Sequence, residues 1–92
     1  MAADDLTSFL QQERNQAENT LMNLVPEKPY YIVYQDLWPQ VLGRHVVRRP
    51  DVNEIAARLR REGRLLFPDW EKGKRISQPN YRIQRGQGTM NA

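Results

Sequence analysis

From Asp4 to Leu24 the apolar residues Leu6, Phe9, Leu10, Ala17, Leu21 and Leu24 recur at spacings of three, four and seven. That repeat places them on one face of a helix. Asp4 and Asp5 suit the positive end of the helix dipole, and Pro26 and Pro29 close the segment. The helix 4–24 is long for a small domain. Its N-terminal half is expected to extend past the core, where a homodimer partner or another protein would cover it. The plainer alternative is an ordinary long amphipathic helix. Tyr30-Tyr31-Ile32-Val33 is aromatic and β-branched and predicts a short strand. Tyr34 to Leu42 predicts a short helix with Leu37, Trp38, Val41 and Leu42 on its apolar side. Pro39 is tolerated there only near the first turn, or at the cost of a kink. Gly43 is a natural stop, and Arg44 to Arg49 is a connector.

Asp51-Val52-Asn53-Glu54 reads as a capping box, with Asp51 as the cap and Glu54 reaching back. Val52, Ile55, Ala56 and Leu59 then form an inner stripe, and Gly63 ends a helix over 52–62. Arg64 to Phe67 predicts a strand, and Pro68 to Pro79 a polar loop. Tyr81-Arg82-Ile83-Gln84-Arg85 alternates with a period of two and should pair back on 64–67. The ends 1–3 and 86–92 carry no pattern and are expected to be flexible. The expected class is α+β: three helices with a small antiparallel sheet in one domain spanning 1–92. The expected core is Tyr31, Leu37, Trp38, Leu42, Ile55, Leu59, Phe67 and Ile83.

With 39% apolar residues and a mean hydropathy of −0.81, the chain is polar but able to form a core. No apolar run approaches the ~20 residues of a membrane span. Cysteine is absent, which excludes disulfides, thiolate metal sites and thiol nucleophiles. Met1 is followed by Ala-Ala-Asp-Asp, not by a basic and then apolar leader, so a cytoplasmic location is expected. His45 is the only histidine and cannot assemble a zinc site alone. It reads as a surface or phosphate-contacting residue. There is no glycine-rich phosphate loop, and Gly86-Gln87-Gly88 is not a dinucleotide fingerprint. Neither an enzyme, nor a cofactor, nor a metal is expected.

Charge changes the picture most. Residues 1–43 carry six acids and two bases, while residues 44–92 carry twelve bases, ten of them Arg, and five acids. The net charge of +3 therefore conceals an acidic half of −4 and a basic half of +7. An Arg-rich half points to an anionic surface, because guanidinium meets phosphate in bidentate fashion. An acidic protein surface and simple solvation are the other readings of the same charges.

The order helix, strand, helix, helix, strand, basic loop, strand resembles the winged helix-turn-helix family over roughly residues 15–85. The most specific part is the run from Asp51 to Tyr81, where an inner-stripe helix passes through Glu62-Gly63-Arg64-Leu65-Leu66 into a hairpin. Asp36-Leu37-Trp38-Pro39, with Leu59 and Glu62-Gly63-Arg64-Leu65, is also similar to winged-helix modules associated with three-Cys-motif partner proteins. The connector from Gly43 to Pro50 is longer than the roughly three- to four-residue turn of a simple helix-turn-helix. The resemblance implies a winged-helix fold with a β-hairpin wing, double-stranded DNA as partner, and a role such as a small transcriptional regulator.

With the inner stripe turned to the core, Asn53, Ala57, Arg60 and Arg61 are expected to face outward, with Arg58 at one flank. Asn pairs with adenine edges, Arg with guanine, and Ala leaves room for a thymine methyl. Arg49 before the helix and Arg64 after it are expected at phosphates. Lys72, Lys74 and Arg75 flank Gly73 at the expected hairpin tip and would track phosphates or enter a minor groove. Solvation alone would also account for them. Trp70 reads either as a lid over the core edge or as an exposed contact. Two further readings are a winged helix that docks proteins through 4–24 and, more remotely, RNA binding by stacking on Tyr30, Tyr31, Tyr34 and Tyr81.

Overall fold

In a computed structural model that describes residues 2–86, with side chains from Leu6 onward, the chain forms three helices and a three-stranded antiparallel sheet. The elements are α1 (Ala2–Leu24), β1 (Ile32–Val33), α2 (Tyr34–Leu42), α3 (Arg49–Arg61), β2 (Leu65–Leu66) and β3 (Arg82–Arg85). The arrangement is α+β and winged-helix-like. Helix α1 runs from Ala2, within the end expected to be frayed; of the expected tail 86–92, Gly86 is described and donates its N–H to Arg64 O at 2.9 Å, while Met1 and 87–92 lie outside the described residues.

The central strand is β3. Ile32 pairs with Ile83 and Val33 with Arg82 on one side; Leu65 pairs with Arg85 and Leu66 with Gln84 on the other. The expected hairpin between 64–67 and 81–85 is therefore present, and the expected first strand is shortened to Ile32–Val33. Helix α2 has the bounds the sequence predicts, with Pro39 as its sixth residue. No side chain caps its N-terminus. The N–H groups of Tyr34 and Gln35 instead donate to the carbonyls of Tyr81 (2.8 Å) and Pro79 (3.0 Å), which ties α2 to the entry of β3.

Helix α3 begins three residues before the expected start. Its N-cap is Arg48, with Pro50 in the first turn, where a missing N–H costs nothing. Asp51 is the third helical residue, and its carboxylate receives the Arg48 N–H at 2.9 Å. Asp51 thus supplies the reaching-back half of a capping box rather than the cap itself. Glu54 takes no part in it and lies 3.5 Å from Arg14 of α1. The C-terminus closes as a Schellman motif. Arg64 N–H donates to Leu59 O (2.9 Å) and Gly63 N–H to Arg60 O (3.0 Å), with Gly63 at φ 78°. That left-handed residue turns the chain from α3 into β2.

The core gathers Ala17, Leu21 and Val25 of α1 and its end, Tyr34, Leu37 and Val41 of α2, and Val52, Ile55, Ala56 and Leu59 of α3. Leu65, Phe67, Tyr81 and Ile83 complete it from the sheet side. Of the expected core, Leu37, Ile55, Leu59, Phe67 and Ile83 are buried, and Trp38 and Leu42 pack at its edge. Tyr31 is corrected: it is 54% exposed. Ile32 packs against the core, and in a strand the neighbouring side chain turns to the opposite face. The connector is a strap laid on α1. His45 Nε2 meets Thr20 Oγ1 at 2.7 Å, and Val46 N–H donates to Glu13 Oε1 at 2.9 Å. Among the described residues no helix is long and apolar enough to cross a membrane.

Candidate nucleic-acid interface

The bases around α3 divide into two groups by what they touch. Arg58 and Arg64 turn toward α1. The carboxylate of Glu18 accepts from Arg58, and its other oxygen from Arg64 Nη1 at 3.2 Å. Arg58 Nη1 also donates to Glu62 at 3.0 Å. Both were expected as DNA contacts, Arg64 at a phosphate. In the fold both guanidiniums are ion-paired with Glu18, because the acidic first helix packs against this side of α3.

Arg49 and Arg60 turn the other way. The Arg49 guanidinium carbon lies 4.4 Å from the ring centroid of Trp38, and that of Arg60 lies 4.3 Å from Trp70. Neither pairs with a carboxylate among the described residues. A guanidinium over an indole face is held by the ring quadrupole while its N–H edges stay open to a further acceptor. Trp70 is itself fixed. It packs edge-on to Phe67 (centroids 5.1 Å apart), lies against Tyr81 (5.6 Å) and donates its indole N–H to Lys74 O at 3.2 Å. It is therefore the lid over the core edge, with Arg60 resting on it.

This contact joins α3 to the basic loop. Lys72-Gly73-Lys74 lies in a turn closed by Lys74 N–H to Glu71 O (3.2 Å), with Gly73 at φ 89° in the position where such a turn demands it. Lys72, Lys74 and Arg75 are exposed, as are Arg60 and Arg61. The turn sits within a loop between β2 and β3 and not at the tip of a tight hairpin. Asp69, two residues before it, is occupied by Arg82 at 2.8 Å and 2.9 Å. That hydrogen-bonded guanidinium holds its carboxyl down at about 2.

The middle of the α3 face differs from expectation. Ala57 is only 5% exposed, so it is not the open position beside a thymine methyl that the spacing predicts. Asn53 is half-buried, and its Oδ1 accepts the Tyr34 hydroxyl at 2.5 Å. Burial raises the Tyr34 hydroxyl above the ordinary tyrosine range, against a smaller lowering by the Arg49 charge, so it stays a donor. The Tyr34 and Trp38 partners on α2 were beyond sequence reasoning. The only available signal was the aromatic spacing Tyr34…Trp38 on one face of α2. Among the described residues no group of three His, Asp or Glu is placed to hold a metal. Comparison with known protein families, with curated proteins and with solved structures finds no match.

Proposed function

We propose that the chain is a winged-helix module that binds double-stranded DNA without covalent chemistry, through the face formed by α3 and the loop after β2. The observation that carries this reading is the seat of Arg60 on Trp70, whose N–H is bound to Lys74 O. It supports a single basic surface in which Arg49, Arg60 and Arg61 of the helix adjoin Lys72, Lys74 and Arg75 of the loop. Arginine and lysine on such a surface bind by releasing the counterions condensed on phosphates. About six neutralised phosphates give a slope of log K against log salt of roughly −5. Tryptophan fluorescence titration with a duplex at two salt concentrations tests it, since Trp38 and Trp70 both lie at the proposed contact. Absence of binding at low salt, or an affinity indifferent to salt, overturns the proposal.

A second reading is favoured by the first helix. Leu6, Phe9 and Leu10 are 59%, 47% and 39% exposed, although they continue the stripe that Ala17 and Leu21 bury. A contiguous apolar strip of this kind marks a contact surface, and a second copy of the chain is the partner proposed. Light scattering across a concentration series should show mass rising above 10.9 kDa for the native chain and not for Phe9→Glu. A native chain that stays monomeric throughout removes this reading.

A further inference from the structure

We infer that α3 holds the duplex at two points on opposite backbones and leaves its base sequence unread; this rests on the DNA-binding reading above. Arg49 and Arg60 are eleven residues apart, close to three full turns, so they project from the same stripe of α3. Their separation along the axis is about 16 Å at 1.5 Å per residue. The major groove is about 12 Å wide, and its walls are phosphates of the two strands. A helix carrying one open guanidinium at each end of such a stripe spans that opening and meets both walls.

The stacking on Trp38 and Trp70 matters because it holds each arginine before the ligand arrives. A pre-held guanidinium loses less conformational freedom on meeting a phosphate than a solvated one. What lies between the two ends is not equipped to read bases. Asparagine recognises adenine by offering its carbonyl and its amide together. In this fold the Asn53 carbonyl already accepts from Tyr34. Ala57 is shut from solvent. Arg58, on the flank, is bound to Glu18 and Glu62. Of the outward residues that the sequence places along the helix, Asn53, Ala57 and Arg58 are therefore engaged or covered, and the open arginines stand only at its two ends, Arg49 at the first and Arg60 with Arg61 at the second. Such a module suits the duplex-holding part of a larger assembly better than an operator-specific regulator.

The test uses the intact chain and four labelled nucleic acids of equal length, read by fluorescence anisotropy at low and moderate salt. Three are duplexes: one AT-rich, one GC-rich and one mixed. The fourth is a single strand. The three duplexes are expected to bind within about threefold of one another, far below the ~10³-fold or greater preference of sequence-specific proteins. Arg49→Gln and Arg60→Gln should each weaken all three duplexes by a common factor and reduce the salt slope by about one, and by about two together. Both positions are exposed, so each variant is expected to stay folded and to melt only a few degrees below the native chain through loss of its indole contact, which thermal unfolding checks beside the binding data. One duplex preferred by tens of fold, a variant that loses affinity for one sequence alone, or a single strand bound more tightly than any duplex overturns the inference while leaving nucleic-acid binding standing. Failure to bind any of the four removes the functional reading along with it.

Discussion

Glu18 is the residue whose removal bears most directly on how the fold apportions its charge. Its side chain is 18% exposed, and its carboxylate lies between the guanidiniums of Arg58 and Arg64, whose side chains are 41% and 39% exposed. Glu18→Gln keeps the size of the side chain and deletes the charge, and it turns an N–H donor toward a donor. A partly exposed ion pair contributes about 0.2–1 kcal/mol once solvent screening is allowed for. Two such pairs sharing one carboxylate, together with the mismatched donor, set the loss at about 1–2 kcal/mol. For a domain of this length each kcal/mol moves the melting temperature by about 4–8 °C, so the expected fall is roughly 4–16 °C. Thermal unfolding followed by circular dichroism measures it, and the difference from the native chain should shrink in about 1 M salt, where the screening length is about 3 Å. The substitution also takes the net charge from +3 to +4 and frees two arginines, so duplex affinity at low salt should rise. A melting temperature equal to that of the native chain, or a folded variant that binds the duplex less well, would refute the claim that Glu18 of α1 neutralises these bases.

Two further outcomes follow from close contacts elsewhere. A methyl group on Gly86 would stand 2.2 Å from Gly63 O, at the turn that ends α3, and would break the bond from Gly86 N–H to Arg64 O (2.9 Å). Gly86→Ala should cost about 1–3 kcal/mol in urea denaturation, and an unchanged midpoint would show that this junction yields freely. The carboxyl of Asp69 is held down to about 2 from 3.8 by the Arg82 hydrogen bonds. Its contribution to stability is therefore complete above the unfolded value and is lost as pH falls through the folded one. Asp69→Asn should melt below the native chain at about pH 6 and together with it near the folded-state pKa; a gap that persists in acid would mean the pair is not the source.

Much of the architecture was legible because local signals agreed with packing. The spacing of Leu37, Val41 and the flanking Gly43 placed α2 with its observed bounds, and Gly63 marked the end of α3. The start of α3 was misread for a definite reason. An aspartate followed three residues later by a glutamate fits a capping box with Asp51 as cap, and the same aspartate fits equally as the third residue of a helix that starts earlier. Pro50, tolerated only in a first turn, decides between the two. The site was less legible. Helical spacing shows which way a side chain leaves the axis, but not whether something 40 or 46 residues away in sequence has already met it, as Glu18 meets Arg58 and Arg64. Ala57 and Asn53 fail in the same way: their outward direction is right by periodicity, and their openness depends on neighbours brought in by α2 and by the tertiary fold.

The charge asymmetry of the sequence and the two-sidedness of α3 are one fact seen twice. The acidic half of the chain is largely α1, and α1 packs on the flank of α3 that carries Arg58, with Arg14 and Glu54 facing each other across the same seam. Bases on that flank are neutralised where they stand. On the opposite flank no acidic helix is available, and the partners are the indoles of Trp38 and Trp70. An aromatic face orients a guanidinium without cancelling its charge. Along α3, the arginines left without a carboxylate among the described residues, Arg49 and Arg60, thus lie on the flank away from α1, and under the proposed reading polyanion binding depends on that local surplus rather than on the overall sum.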